Sequence, residues 1–157
     1  MNFIVREAQS QDYPEISKIM RETHDIYGNL NIPTHTGNPV LKHQTQNLVK
    51  IDETKIFVVE NKMTNELLAY SHLKIIEPIS HTSLEKDRYA CINDFCVKSE
   101  QKKHGIGKLL FKQISEYAKS AGTTSLLLFE WIYNKDALEF YPSTSFDPNK
   151  SHIEILL

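Results

Sequence analysis

The chain has 157 residues, 40% of them hydrophobic and 24% charged, with a formal net charge of −2; these are the values of an ordinary globular chain, long enough for one domain spanning 1–157 with a sizeable core. That balance excludes nucleic-acid binding by bulk electrostatics, because the basic residues gather near one turn instead of forming a stripe. No apolar run approaches a membrane span and the opening Met-Asn-Phe-Ile-Val-Arg-Glu has no signal-peptide organisation, so a cytoplasmic location without a membrane partner is expected.

In chain order, residues 2 to 8 alternate as a first strand, and Asp12 with Glu15 forms a capping-box signature before a helix carrying Ile16, Ile19 and Met20. That helix is expected to end near Tyr27-Gly28. The stretch from 28 to 39 holds Gly28, Asn29, Asn31, Pro33, Gly37, Asn38 and Pro39, a loop rich in helix and strand breakers that can border an acceptor site. A second helix is predicted around Val40 to Lys50. Two strands, Lys55 to Glu60 and Glu66 to Ile76, flank Asn61-Lys-Met-Thr-Asn65 as a hairpin. A polar connection leads to a strand at Arg88 to Val97. Cys91 and Cys96 both fall in this strand, where regular alternation places them on opposite faces with no bridge between them. Reduced thiols suit a cytoplasmic protein.

The strand ending at Val97 meets a helix through Lys98-Ser-Glu-Gln-Lys102-Lys-His-Gly105-Ile-Gly107, a basic turn with two of the five glycines. A helix start offers unpaired N–H groups and partial positive charge. Gly105 and Gly107 remove side chains that would keep a pyrophosphate away, while Lys102, Lys103 and His104 add charge or donors. A tight turn with no ligand is the structural alternative. Beyond it, Ile106, Leu109, Leu110, Ile114, Tyr117, Ala118 and Ala121 recur on one helix face, with Gly122 as the stop. A Walker loop would need Gly at 102 and Ser or Thr at 109, where Lys102 and Leu109 stand. A dinucleotide fingerprint would want a small residue at Leu110. Both patterns fail on these residues.

A second block follows the strand Ser125-Leu-Leu-Leu-Phe: Glu130-Trp-Ile-Tyr-Asn134-Lys-Asp-Ala137-Leu-Glu-Phe140-Tyr141-Pro-Ser-Thr-Ser-Phe146. Together the two blocks resemble the GCN5-related N-acetyltransferase (GNAT) superfamily, whose loop reads Arg or Gln, two residues, Gly, one residue, Gly or Ala. In the later motif Asn opens a short helix and Phe-Tyr precedes a turn. Lys102, Ser145, Pro142 and Glu130 depart from the family pattern. The closing Ile153-Glu-Ile-Leu-Leu completes an α/β (α+β) arrangement. The resemblance implies a mixed, mostly antiparallel sheet of six to seven strands, flanked by about four helices, with two central strands splayed.

It further implies acetyl-coenzyme A as co-substrate and transfer of acetyl to a primary amine, on a small molecule or peptide, by direct attack in a ternary complex. A non-catalytic acetyl-coenzyme A sensor of the same fold is the alternative. The pyrophosphate would lie on Lys102, Lys103, His104, Gly105, Ile106, Gly107 and Lys108, and the pantetheine arm along Phe95, Cys96 and Val97. An N–H near Phe95 or Cys96 would stabilise the oxyanion. Tyr141 matches the position that protonates the leaving thiolate, and Asn134 the one that contacts the pantetheine or, as an N-cap, orders local backbone. Asp94 and Glu130 are the carboxylates placed to deprotonate the amine; Glu130 would alternatively bind a cationic acceptor. Tyr27 and Tyr133 are possible lining residues of that acceptor pocket. Trp131 and Tyr133 otherwise read as packing residues. Homodimers are common among related folds and compatible with this chain. The seven histidines show no close metal-ligand spacing, so no metal site is expected. Cys96 lacks an adjacent activating group and is a poor nucleophile.

Overall fold

The computed structural model describes residues 2–28, 49–78, 88–128, 139–140 and 153–156. Their elements run β1 (Phe3–Glu7), α1 (Tyr13–Gly28), β2 (Val49–Asn61), β3 (Leu67–Pro78), β4 (Tyr89–Val97), α2 (Ile106–Ser120), β5 (Ser125–Leu128) and β6 (Ile153–Leu156), with 3-10 turns at Ser10–Asp12 and Ser99–Gln101. The six strands form one sheet in sequence order. Every neighbouring pair is antiparallel except β4 and β5, which run parallel. A parallel pair needs a crossover, and α2 supplies it. Six strands match the expected range, while two α-helices lie among the described residues.

The two faces of the sheet are covered by different helices. On one, Ile106, Leu110, Phe111, Ile114 and Ala118 of α2 pack against Val59, Leu73, Ile92 and Leu126 of the strands. The predicted helical periodicity is therefore the buried stripe, and Gly122, at φ +75°, follows the helix end. On the other face, Ile16 and Ile19 of α1 cover Val58, Leu67, Tyr70 and Cys96. The β2–β3 hairpin turns through Asn65 at φ +58°, whose N–H donates to the Asn61 carbonyl. Asn tolerates that left-handed conformation better than most residues.

Three expectations are corrected. Val49 and Lys50, predicted as the end of a helix, begin β2; residues 40–48 of that helix lie outside the described residues, as do most of the 28–39 loop and the connection at 79–87. A register shift between Ile51 and Glu53 leaves Asp52 extra in β2, and this irregularity hides the strand's first residues from an alternation pattern. The Asp12–Glu15 capping box does not form. Asp12 accepts the Gln9 N–H at 2.7 Å and the two terminal nitrogens of Arg6 at 2.7 and 3.0 Å, whereas Glu15 binds Lys18 and Lys98. Cys91 and Cys96 share a face instead of opposing one another. They sit opposite Lys74 and Tyr70, four residues apart on β3, because Asn93 is an extra residue between them. Both thiols are buried, and neither is in a disulfide.

Asp12 anchors β1 to the entry of α1. Its hydrogen bonds from Arg6 hold its carboxyl below the usual carboxylate range, against the opposing effect of burial. A depressed folded pKa contributes stability that is present above the unfolded value and lost as pH falls through the folded one. Asp12→Asn should cost about 1–3 kcal/mol at pH 7 in urea denaturation. The gap between wild type and variant should narrow as the pH drops below about 4.

Candidate active site

The extra residue in β4 creates the site's geometry. His72 of β3 pairs with Asp94, but the next residue, Leu73, pairs with Ile92, so Asn93 bulges. On its other side β4 pairs with β5 only from Tyr89 to Ile92. Among the described residues, positions 93–97 of β4 therefore have a strand neighbour on one side alone. Which amides face the open side follows from the ladder. Lys98 donates its N–H to the Leu68 carbonyl at 2.9 Å, and antiparallel pairs alternate between bonded and non-bonded. Cys96 and Asp94 thus direct their backbone groups to β3, and Phe95 and Val97 direct theirs to the open edge. The Ser71 hydroxyl, donating to the Asp94 carbonyl at 2.8 Å, is consistent with that assignment. Of the two residues named as oxyanion donors, Phe95 has its N–H toward the opening; the Cys96 N–H is committed to the ladder.

The open edge runs directly into the glycine turn. Gly105 is the N-cap of α2 at φ +81°, and no side chain caps the helix. A Cβ at Gly105 would meet nothing within 4 Å, so this glycine is required by its backbone angle and leaves open space above the first helical N–H groups. Lys103 is also left-handed, at φ +64°. Lys103, His104 and Lys108 are exposed, Lys102 is partly buried, and the Ile106 side chain is in the core, leaving only its backbone for a ligand. An uncapped helix start ringed by cations fits a pyrophosphate.

Gly107 has a different role. A Cβ there would lie 3.3 Å from Cε2 of Phe140 and 3.7 Å from Cγ2 of Val97. Its absence lets the first turn of α2 approach the end of β4 and the Phe140 ring. Phe140 in turn packs on Phe95 and Phe111, with ring centroids 5.7 and 6.1 Å apart. The second sequence block is thus brought to the open edge through Phe140, the residue before Tyr141. Tyr141, Glu130, Asn134, Trp131 and Tyr133 themselves lie outside the described residues.

Long-range contacts that no sequence pattern announces fix the turn from beneath. Lys98 donates to Glu15 at 3.0 Å and to Glu66 at 2.7 Å. Burial works against the charge on Lys98, but these carboxylates outweigh it and raise its pKa. The Ser99 N–H donates to Glu22 at 2.9 Å, and bonding from Ser99 lowers the Glu22 pKa. The two residues that α1 holds in this way, Lys98 and Ser99, stand immediately ahead of the lysine-rich turn. His72 was also missed, since its neighbour Asp94 is adjacent only across the strands, at 3.8 Å from Nδ1 to Oδ2. Asp94 itself is a partly exposed carboxylate beside the opening. No cluster able to hold a metal occurs among the described residues.

A mixed sheet with a bulged, half-paired central strand feeding a glycine-started helix is the fold of the GNAT acetyltransferases. The model of the Acetyltransferase (GNAT) family matches residues 15–146, and the chain belongs to that family. No curated protein matches it by sequence. Among solved structures, a mutant of the BH1408 protein of Bacillus halodurans superposes with a TM-score of 0.74 at 24% identity, over 98% of this chain and 99% of that one. The PaiA N-acetyltransferase of Thermoplasma acidophilum, in complex with coenzyme A, gives 0.68 at 15% identity over 100% of both chains. The aminoglycoside acetyltransferase meta-AAC0020 from an uncultured soil metagenomic sample, in complex with sisomicin, gives 0.61 at 17% identity over 91% of this chain and 87% of that one. At these identities the likeness is one of fold.

Gly105→Ala should lower stability by about 1–2 kcal/mol, because only the backbone angle is penalised. Gly105→Asn should recover part of that loss, as Asn tolerates positive φ. Urea melts of the three proteins check the order.

Proposed function

We propose that this protein is an N-acetyltransferase that moves acetyl from acetyl-coenzyme A to a primary amine by direct attack within a ternary complex. The observation that carries the reading is the continuity of the open β4 edge with the uncapped start of α2. A pantetheine arm offers amide groups that can pair with the Phe95 and Val97 backbone as an added strand would. A pyrophosphate at the end of such an arm meets the N–H groups from Gly105 to Lys108, with Lys102, Lys103 and His104 around it. The PaiA enzyme solved with coenzyme A has the same fold, which supports this choice of ligand.

Each residue then has a task set by the chemistry. The Phe95 N–H donates to the thioester carbonyl oxygen and strengthens its bond as that oxygen gains charge. The amine nitrogen forms the new C–N bond as the C–S bond breaks. Tyr141 supplies a proton to the departing thiolate, and Asn134 holds the pantetheine. Glu130 binds a cationic acceptor. Cys96 contributes backbone order and no nucleophile, since its side chain is buried on the α1 face. A sensor that binds acetyl-coenzyme A without turnover would share the binding residues but have no use for a proton donor at Tyr141.

Thiol release from acetyl-coenzyme A, measured across polyamines, amino acids, aminoglycosides and peptides, tests the proposal. Turnover on at least one amine is expected, whereas coenzyme binding by calorimetry with no turnover on any would establish the sensor instead. Tyr141→Phe should lower kcat by about 100-fold while leaving coenzyme affinity unchanged. An equal loss in both would remove Tyr141 from the proton donor's role.

A further inference from the structure

The acetyl acceptor needs a group that removes a proton, because an ammonium has no lone pair with which to attack. On the α1 face of the sheet, β2, β3 and β4 present side chains in cross-strand rows. One row is Val58, Tyr70 and Cys96, which α1 covers with Ile16 and Ile19. The neighbouring row is Ile56, His72 and Asp94, and it lies at the bulge. The His72 and Asp94 side chains retain 25% and 38% exposure, with Nδ1 3.8 Å from Oδ2. Ligand-free sites commonly hold such pairs slightly long and tighten them around substrate. Nδ1 is the nitrogen turned to Asp94, which leaves Nε2 as the ring's other position for a proton. Asp94 precedes Phe95, whose N–H faces the open edge, so the pair stands beside the position where the thioester would be held.

We propose that His72 is the catalytic base that takes the proton from the acceptor's ammonium, and that Asp94 is a positioning residue that holds its ring. This rests on the acetyltransferase reading. One proton passes from the ammonium to Nε2 and on to solvent; the freed lone pair then forms the C–N bond, and the second proton ends on the coenzyme sulfur.

The titratable groups nearest the pair on this face are unsuited to the task. Tyr70 is buried at 1% exposure, and burial pushes its phenol up. The Cys91 thiol is buried and pushed up to about 11, with Lys74 partly offsetting the shift. Cys96 is buried behind α1. From β2 the row contributes Ile56, with exposed Thr54 beside it, neither of which titrates. On α1, Glu15 and Glu22 are engaged by Lys98 and Ser99. An imidazole, by contrast, exchanges a proton readily near neutral pH.

The test uses the full-length protein, with kcat/KM measured from pH 7 to pH 10 for the amine of the panel that turns over fastest. His72→Gln should lose about 100-fold at pH 7, and this deficit should shrink at pH 10, where an alkyl amine needs no base. Asp94→Asn should show a smaller loss with the same pH dependence. Acetyl-coenzyme A affinity by calorimetry and the circular dichroism spectrum should match wild type in both variants. An unchanged rate for His72→Gln, or a deficit constant across pH, would overturn the base assignment. A loss in Asp94→Asn larger than that in His72→Gln would make Asp94 the base. Wild-type protein without turnover on any amine would overturn the transfer reaction itself, a result distinct from failure of either variant.

Discussion

The rest of the site depends on how β4 is held, and β4 is held unequally. Asn93 stands opposite the step between His72 and Leu73 with no partner of its own. An extra residue in an antiparallel pair bends the strand and reverses the alternation of its side chains. Before the bulge, Ile92 faces α2 and β4 is paired on both edges; after it, Phe95 faces α2 and, among the described residues, one edge has no strand neighbour. The same irregularity places Asp94 next to His72 and both thiols on the α1 face. A strand edge inside a sheet is a row of unsatisfied N–H and C=O groups, which is costly unless something pairs with it. In this architecture a ligand with amide groups of its own is the natural partner.

The opening is useful only if the helix start beyond it is fixed in place. From the α2 side, Gly107 allows close approach to Val97 and Phe140, and the Phe95, Phe111 and Phe140 rings lock that contact. From the other side, Glu15 and Glu22 of α1 hold Lys98 and Ser99. A salt bridge on an open surface contributes little to stability. Lys98 retains only 12% side-chain exposure, and its neighbour Ser99 is held through the backbone. These contacts serve to position a turn, and they join α1 to the loop proposed for the coenzyme.

Much of this organisation was legible in the sequence because it is local. The stripe from Ile106 to Ala121, the glycine at 105 and the Asn65 turn each follow from spacing or from one residue's backbone freedom. What was hidden depends on partners distant in sequence. Asp12 looked like the first member of a capping box, yet Arg6 and Gln9 claim its oxygens. The start of β2 was masked by the unpaired Asp52. Regular alternation puts Cys91 and Cys96 on opposite faces, and only the pairing with β3 reveals the bulge that brings them to one. His72 carries no signal in the sequence, because its neighbour Asp94 is adjacent only across the β3–β4 pairing. Gly107 was read as clearance for a ligand, although the space it leaves is filled by Phe140.

The central claim is that the β4 edge from 93 to 97 and the first turn of α2 form one binding surface. Amide-resolved hydrogen exchange, with and without acetyl-coenzyme A, addresses it directly. In the free protein, Phe95 and Val97 should exchange faster than Cys96 and Lys98, whose amides are committed to β3. Addition of the coenzyme should protect Phe95, Val97 and the amides from Gly105 to Lys108 together. Protection confined to the helix start, or a Cys96 amide that exchanges as fast as Phe95 in the free protein, would contradict the claim.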